Sequence, residues 1–186
     1  MINKKNTSKI YILFIISHLI IWTAVPTFTN INLPLDTIEA LAWGSNLEWG
    51  FNKHPPFSAF AVELFFYLFG SNDWAYYLLS QIFLLVAFIY VWKLSNKIFN
   101  DKVLSLLSVL ILESIFFYNY TTPEFNVNVS QIPFWALSVY YFWKCVDKNK
   151  IIDWVLLGIF SALGFLSKYL FIYILFATFL FLLFYG

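Results

Sequence analysis

A few short stretches hold residues whose types suit them to chemistry. One reads Asp36-Thr-Ile-Glu-Ala-Leu-Ala-Trp-Gly-Ser-Asn-Leu-Glu-Trp-Gly-Phe-Asn-Lys-His-Pro-Pro56 and brings acids, Lys53 and His54 into a single segment. A carboxylate such as Asp36 can accept a proton from a hydroxyl or hold a divalent metal ion. A Lys or His can neutralise a departing phosphate. The same residues also fit a solvated loop whose charges simply avoid an apolar phase. A second stretch, Tyr118-Asn-Tyr-Thr-Thr-Pro-Glu-Phe-Asn126, offers Glu124. Taken alone, Glu124 reads as a first-turn acid favoured by the helix dipole, with Thr121 or Thr122 as the N-cap and Pro123 beside it. Lys168 is suited either to a phosphate or to snorkelling at an interface. Glu113 and His18 are polar residues inside apolar runs. Glu113 reads as a buried hydrogen-bonding group, a proton relay or part of a polar cavity, with the structural role ahead. His18 reads as a satisfied polar residue.

The elements that must position these groups follow from composition. Of 186 residues, 61% are hydrophobic, 23% aromatic and 11% charged, with mean hydropathy +0.76. A soluble domain carries about 25% charged residues, and the apolar runs here are continuous rather than alternating. An all-α polytopic membrane bundle is predicted; a soluble globule, a disordered chain and a β-barrel are not. The single Cys145 excludes an intrachain disulfide and a cysteine metal site. The net charge is +1 and every basic residue is Lys, so nothing supports nucleic-acid binding.

Charge then sets the topology. Residues 57–70 are apolar but only about 14 long, shorter than the ~20 a spanning helix needs. If they lie on the outer surface, both Lys-rich loops, with Lys93, Lys97 and Lys102 and with Lys144, Lys148 and Lys150, join the basic N-terminus on the cytoplasmic side. The prediction is therefore about six transmembrane helices, over residues 11–28, 74–92, 103–120, 125–143, 151–167 and 169–185. A short interfacial helix at 37–47 lies in a first outer region of residues 29–73. Glu113 falls about ten residues into its span, near the bilayer midplane by the 1.5 Å rise per residue. The whole chain, 1–186, reads as one transmembrane domain.

The residues carry a resemblance. Asp36, Glu-Ala-Leu-Ala-Trp-Gly from Glu39 to Gly44, and Glu-Trp-Gly-Phe-Asn-Lys-His-Pro-Pro from Glu48 to Pro56 resemble the first outer loop of the bacterial glycosyltransferase family 39. That family has the GT-C fold and is related to the protein O-mannosyltransferases and the lipid A aminoarabinose transferase. The likeness continues through Leu112-Glu113, Thr122-Pro-Glu-Phe-Asn126 and Gly164-Phe-Leu-Ser-Lys168.

The resemblance implies transfer of a sugar from a polyprenyl-phosphate carrier to a lipid, glycan or protein acceptor on the outer face of a bacterial plasma membrane. It implies that Asp36 and Glu124 are the catalytic acids, with Asp36 acting as general base or as holder of a divalent metal. Lys53, His54 and Lys168 would approach the donor phosphate. Many relatives carry a second acid directly after the first, where this chain has Thr37. Family members also carry more spans. The expectation is accordingly an N-terminal half: a fragment, a truncated product, or one piece of an enzyme completed by a second polypeptide. The alternatives are a catalytically incomplete remnant and a non-enzymatic lipid-handling or transport protein.

Overall fold

The computed structural model describes residues 4–185, with side chains from residue 6 onward. Met1, Ile2, Asn3 and Gly186, at the edges of the basic N-terminus and the last predicted span, lie outside the described residues, as do the side chains of Lys4 and Lys5. The helices are α1 (Lys4–Thr29), α2 (Leu35–Gly44), α3 (Phe57–Phe69), α4 (Asp73–Phe99), α5 (Lys102–Glu113), α6 (Val127–Lys148), α7 (Ile151–Ser167) and α8 (Ile172–Tyr185). Short 3-10 turns occupy Phe116–Tyr118 and Tyr169–Phe171, and there is no strand among the described residues. The all-α class therefore stands. Two stretches, Asn6–Thr29 and Asp73–Phe99, are long and apolar enough to cross a membrane. Phe57–Phe69, Ile151–Ser167 and Tyr169–Tyr185 are apolar but shorter.

Apolar side chains cover the outside of the bundle as well as fill its core, and small polar groups are buried among them. α1 exposes Ile12, Leu13, Ile16, Ile20 and Ile21 while it buries Thr7 and His18. Ser80, Gln81, Ser95, Ser105, Ser138 and Ser161 are also buried. Without a solvent-driven force between helices in lipid, close packing and hydrogen bonds between helices do the holding. The Ser95 and Ser108 hydroxyls, 2.9 Å apart, join α4 to α5, and those of Ser138 and Ser161, 3.3 Å apart, join α6 to α7.

α4 is the central helix and packs on α1, α5 and α6; α6 packs in turn on α7. Aromatic pairs fill these seams. Tyr11 stacks on Trp92 at 4.1 Å, Phe83 meets Phe125 edge-on at 5.2 Å, and Trp135 meets Phe171 at 5.5 Å.

At one end the turns are minimal. Asn100 closes α4 with φ 50°, and Asp101 caps α5 by accepting from the Val103 and Leu104 amides at 2.6 and 3.2 Å. Asn149 closes α6 with φ 46°, and α7 starts two residues later. Asn is one of the few side chains that enters this left-handed region readily. The start of α1 lies at the same end, since Lys102 Nζ donates to Ser8 Oγ at 3.0 Å.

Two glycines allow close approach. A Cβ on Gly44 would stand 2.8 Å from the Ala59 carbonyl oxygen and 3.0 Å from Glu63 Cβ, so α2 rests directly on α3. A Cβ on Gly164 would stand 2.4 Å from a ring carbon of Phe171, whose side chain is fully buried. Gly164→Ala is therefore expected to destabilise by about 1–3 kcal/mol, the usual cost of overpacking. Its thermal midpoint in detergent should fall well below that of Gly158→Ala, where nothing lies within 4 Å of the added methyl.

Three predicted boundaries are corrected. The 103–120 span is shorter than expected, because α5 stops at Glu113. There Asn119 Nδ2 donates to the Glu113 and Ile115 carbonyls at 2.6 and 3.3 Å and satisfies the helix end. Glu113 thus sits at a helix terminus rather than in the middle of a span. Twelve residues rise only about 18 Å. The helix after Glu124 also starts later than predicted. Asn126, not Thr121 or Thr122, is the N-cap: its Oδ1 accepts from the Asn128 and Val129 amides at 2.9 and 3.1 Å. The predicted 37–47 helix is α2, displaced toward Pro34 by a few residues.

Candidate functional site

α2 begins immediately after Pro34, whose fixed φ suits a helix start, and Asp36 falls in its first turn. Glu124 Oε1 accepts the Asp36 amide proton at 3.2 Å, which answers one of the free donors at that helix start. Asn126 Nδ2 donates to Asp36 Oδ2 at 3.2 Å, and Thr37 Oγ1 donates to the Phe125 carbonyl at 3.1 Å. Residues 124–126 and the start of α2, 88 or more positions apart in sequence, are thus knotted together. Asn126 serves both partners, since its other amide atom caps α6. Asp36 itself is exposed, with only Oδ2 engaged among the described residues.

Asp36, Glu39, Trp43, His54, Ser58 and Asn126 line one narrow crevice. The loop after α2 folds back to supply His54. Phe51 stacks on Trp43 at 5.1 Å, His54 meets Trp43 edge-on at 5.9 Å, and the Phe51 amide donates to the His54 carbonyl at 3.1 Å. The Ser58 hydroxyl, in the first turn of α3, is buried without a hydrogen-bond partner among the described residues. Lys53 Nζ donates to Glu39 Oε1 at 2.6 Å. That hydrogen bond, then the Glu39 charge and more weakly the Asp36 charge, holds the Lys53 ammonium above its usual range. Lys53 therefore stays cationic throughout the neutral range.

The predicted residues do not all meet in this crevice. Asp36 and His54 line it, and Lys53 joins it through Glu39. Glu124 reaches Asp36 from the other side, where it lines a groove of about 420 Å³ with Trp22, Pro26, Asn30, Tyr120 and Pro123. Lys168 ends α7 and donates to Asn128 Oδ1 in the first turn of α6, two residues beyond Asn126, without lining the crevice. Glu113 lies apart from the crevice, paired with His18 on α1. Among the described residues no three His, Cys, Asp or Glu side chains stand together as a metal cage. Glu39, the nearest carboxylate to share the crevice with Asp36, is occupied by Lys53. The side chains as they stand do not fit a metal ion.

Sequence reasoning did not single out Glu39, Ser58 or Asn126. Asn126 is an N-cap residue type, but the polar Asn128, Ser130 and Gln131 that follow it blur the helix start in the sequence. Glu39 is one of the acids of the first outer segment but has no assigned role in the sequence, and nothing local marks Ser58.

Residues 53–186 match the family model described as dolichyl-phosphate-mannose-protein mannosyltransferase; Asp36 and Glu39 precede the matched stretch. Two curated relatives are described as undecaprenyl phosphate-alpha-4-amino-4-deoxy-L-arabinose arabinosyl transferase. The one from Wigglesworthia glossinidia brevipalpis is 33% identical over 121 residues, covering 62% of this chain and 21% of that protein. The one from Pseudomonas savastanoi pv. phaseolicola is 24% identical over 124 residues, covering 62% and 22%. The chain thus spans roughly a fifth of the length of these relatives. No solved structure matches.

Proposed function

The chain belongs to the dolichyl-phosphate-mannose-protein mannosyltransferase family, and from that premise we propose that it forms the part of a membrane glycosyltransferase that receives a polyprenyl-phosphate-linked sugar. The observation that carries this reading is the knot of Asp36, Glu124 and Asn126 beside a crevice with His54, Ser58 and the Glu39–Lys53 pair. An exposed carboxylate on a rigid helix start, facing cationic and hydroxyl groups, suits displacement at a sugar carbon by a hydroxyl.

In that reaction the acceptor oxygen bonds to the anomeric carbon and its proton passes to Asp36. The bond from the anomeric carbon to the phosphate oxygen breaks, and the phosphate leaves with its electron pair. Lys53 and His54 meet the charge that develops there, and Ser58 donates its unpartnered hydroxyl. Lys168 takes part by leaving Asn128 for the donor. Glu124 orients Asp36 through the backbone amide. No step is routed through a metal ion.

The six-span arrangement belongs to the same proposal, with the crevice outside a bacterial plasma membrane. It is supported by Lys93, Lys97, Lys102, Lys144, Lys148 and Lys150, which lie around the Asn100 and Asn149 turns, opposite Asp36 and Glu124, while Lys53 and Lys168 lie at the crevice end. The names of the two relatives specify a lipid-phosphate-linked sugar as donor; the acceptor in this proposal is a hydroxyl of a lipid, glycan or protein. The test is transfer of labelled sugar from a polyprenyl-phosphate donor by membranes carrying the chain. Transfer above that of membranes lacking it is expected, and none with any such donor would overturn the proposal.

A further inference from the structure

Apart from the crevice, five residues close a ring of hydrogen bonds. His18 Nδ1 on α1 stands 3.1 and 3.0 Å from the two Glu113 carboxylate oxygens at the end of α5. His18 Nε2 stands 3.0 Å from Gln81 Oε1 on α4. Gln81 Nε2 donates to Thr122 Oγ1 at 3.4 Å, and the Thr122 hydroxyl donates to the Asn119 carbonyl at 2.8 Å. Asn119 Nδ2 donates to the Glu113 carbonyl at 2.6 Å and returns the ring to its start.

The direction of each bond follows from the last. The Thr122 hydrogen is committed to Asn119, so its oxygen accepts from the Gln81 amide nitrogen. That leaves Gln81 Oε1 to accept from His18 Nε2–H, and a proton lies between Nδ1 and Glu113. His18, Gln81 and Thr122 are almost wholly buried, so no water replaces a lost partner cheaply.

The ring is anchored on α1 and α4 but grips residues 119–122. Two residues on, Glu124 holds the Asp36 amide, and Asn126 holds the Asp36 carboxylate. We propose that His18, Gln81 and Glu113 are positioning residues that hold the segment 119–126, and with it Glu124 and Asn126, against Asp36. Their importance for sugar transfer rests on the function proposed above; their hold on the segment does not.

Hydrogen exchange measured by mass spectrometry on the chain in lipid nanodiscs tests the hold. In His18→Leu, and independently in Gln81→Leu, peptides covering 119–126 are expected to exchange at least tenfold faster, with α6 and α7 unchanged. Glu113→Gln, whose side-chain amide can still pair with His18 Nδ1, is expected to stay within twofold of the parent, whereas Glu113→Leu behaves like His18→Leu. Unchanged exchange at 119–126 in both leucine variants, or equal acceleration in every helix, would overturn the proposal. If His18→Leu does not fold, Gln81→Leu and Thr122→Val read the same segment. In a transfer assay, the positioning variants are expected to lose about tenfold in kcat with the donor KM within twofold. Faster exchange in a chain whose parent transfers no sugar would leave the hold standing and remove the glycosyltransferase reading instead.

Discussion

Asp36→Asn is expected to lower sugar transfer roughly 100- to 10,000-fold, the range typical for losing a positioned general base. The substitution is nearly isosteric. Its amide oxygen can still accept from Asn126 Nδ2, and the backbone amide can still donate to Glu124. What disappears is the capacity to take a proton. The loss should therefore fall on kcat, with the donor KM within a few fold, because Lys53, His54 and Ser58 are untouched. Steady-state transfer from a labelled polyprenyl-phosphate sugar checks it. Undiminished turnover would remove Asp36 from the chemistry. Glu124→Gln keeps an oxygen for the Asp36 amide and should lose much less.

The second large effect lies at the opposite end of the bundle and concerns stability. Lys144 on α6 donates to Asp153 Oδ1 in the first turn of α7, and Asp153 is only 1% exposed. Its other oxygen is buried without a hydrogen-bond partner among the described residues. Lys144→Met removes the cation and strands the carboxylate, which costs about 3 kcal/mol or more in comparable buried pairs. The expected result is a marked fall in the thermal midpoint in detergent. Lys144→Met combined with Asp153→Leu should recover most of it, since two apolar side chains leave no buried charge behind. If the single variant melted with the parent, the pair would not be holding α6 to α7.

Both sites show what could be read from the sequence and what could not. The helical class, and a short apolar α3 after Pro55-Pro56, follow from run length and proline alone. Asp36, Lys53 and His54 stood out as residue types within one segment, and the structure brings that segment together. Glu39 was visible there too, but only its bond to Lys53 shows that it competes for the cation. The misplaced end of α5 has a specific cause. Apolar residues continue past Glu113, so hydropathy could not show that Asn119 folds back to close the helix. The His18–Glu113 pair spans 95 positions and Gln81–Thr122 spans 41, so no local pattern announces either. The six spans rest on charge, which reports sidedness rather than helix length, and among the described residues two helices satisfy length and hydropathy together.

The unequal turns also determine where the gene can tolerate change. At the Asn100-Asp101 and Asn149-Lys150 corners, one inserted codon would break a left-handed closure and the helix start that follows it. Between Gly44 and Pro55 the chain runs without regular structure, tied down chiefly by Phe51 and His54 against Trp43. Length variation among descendants of this sequence should therefore collect beside the crevice, where it alters what can dock. The two tight corners should keep their residue count.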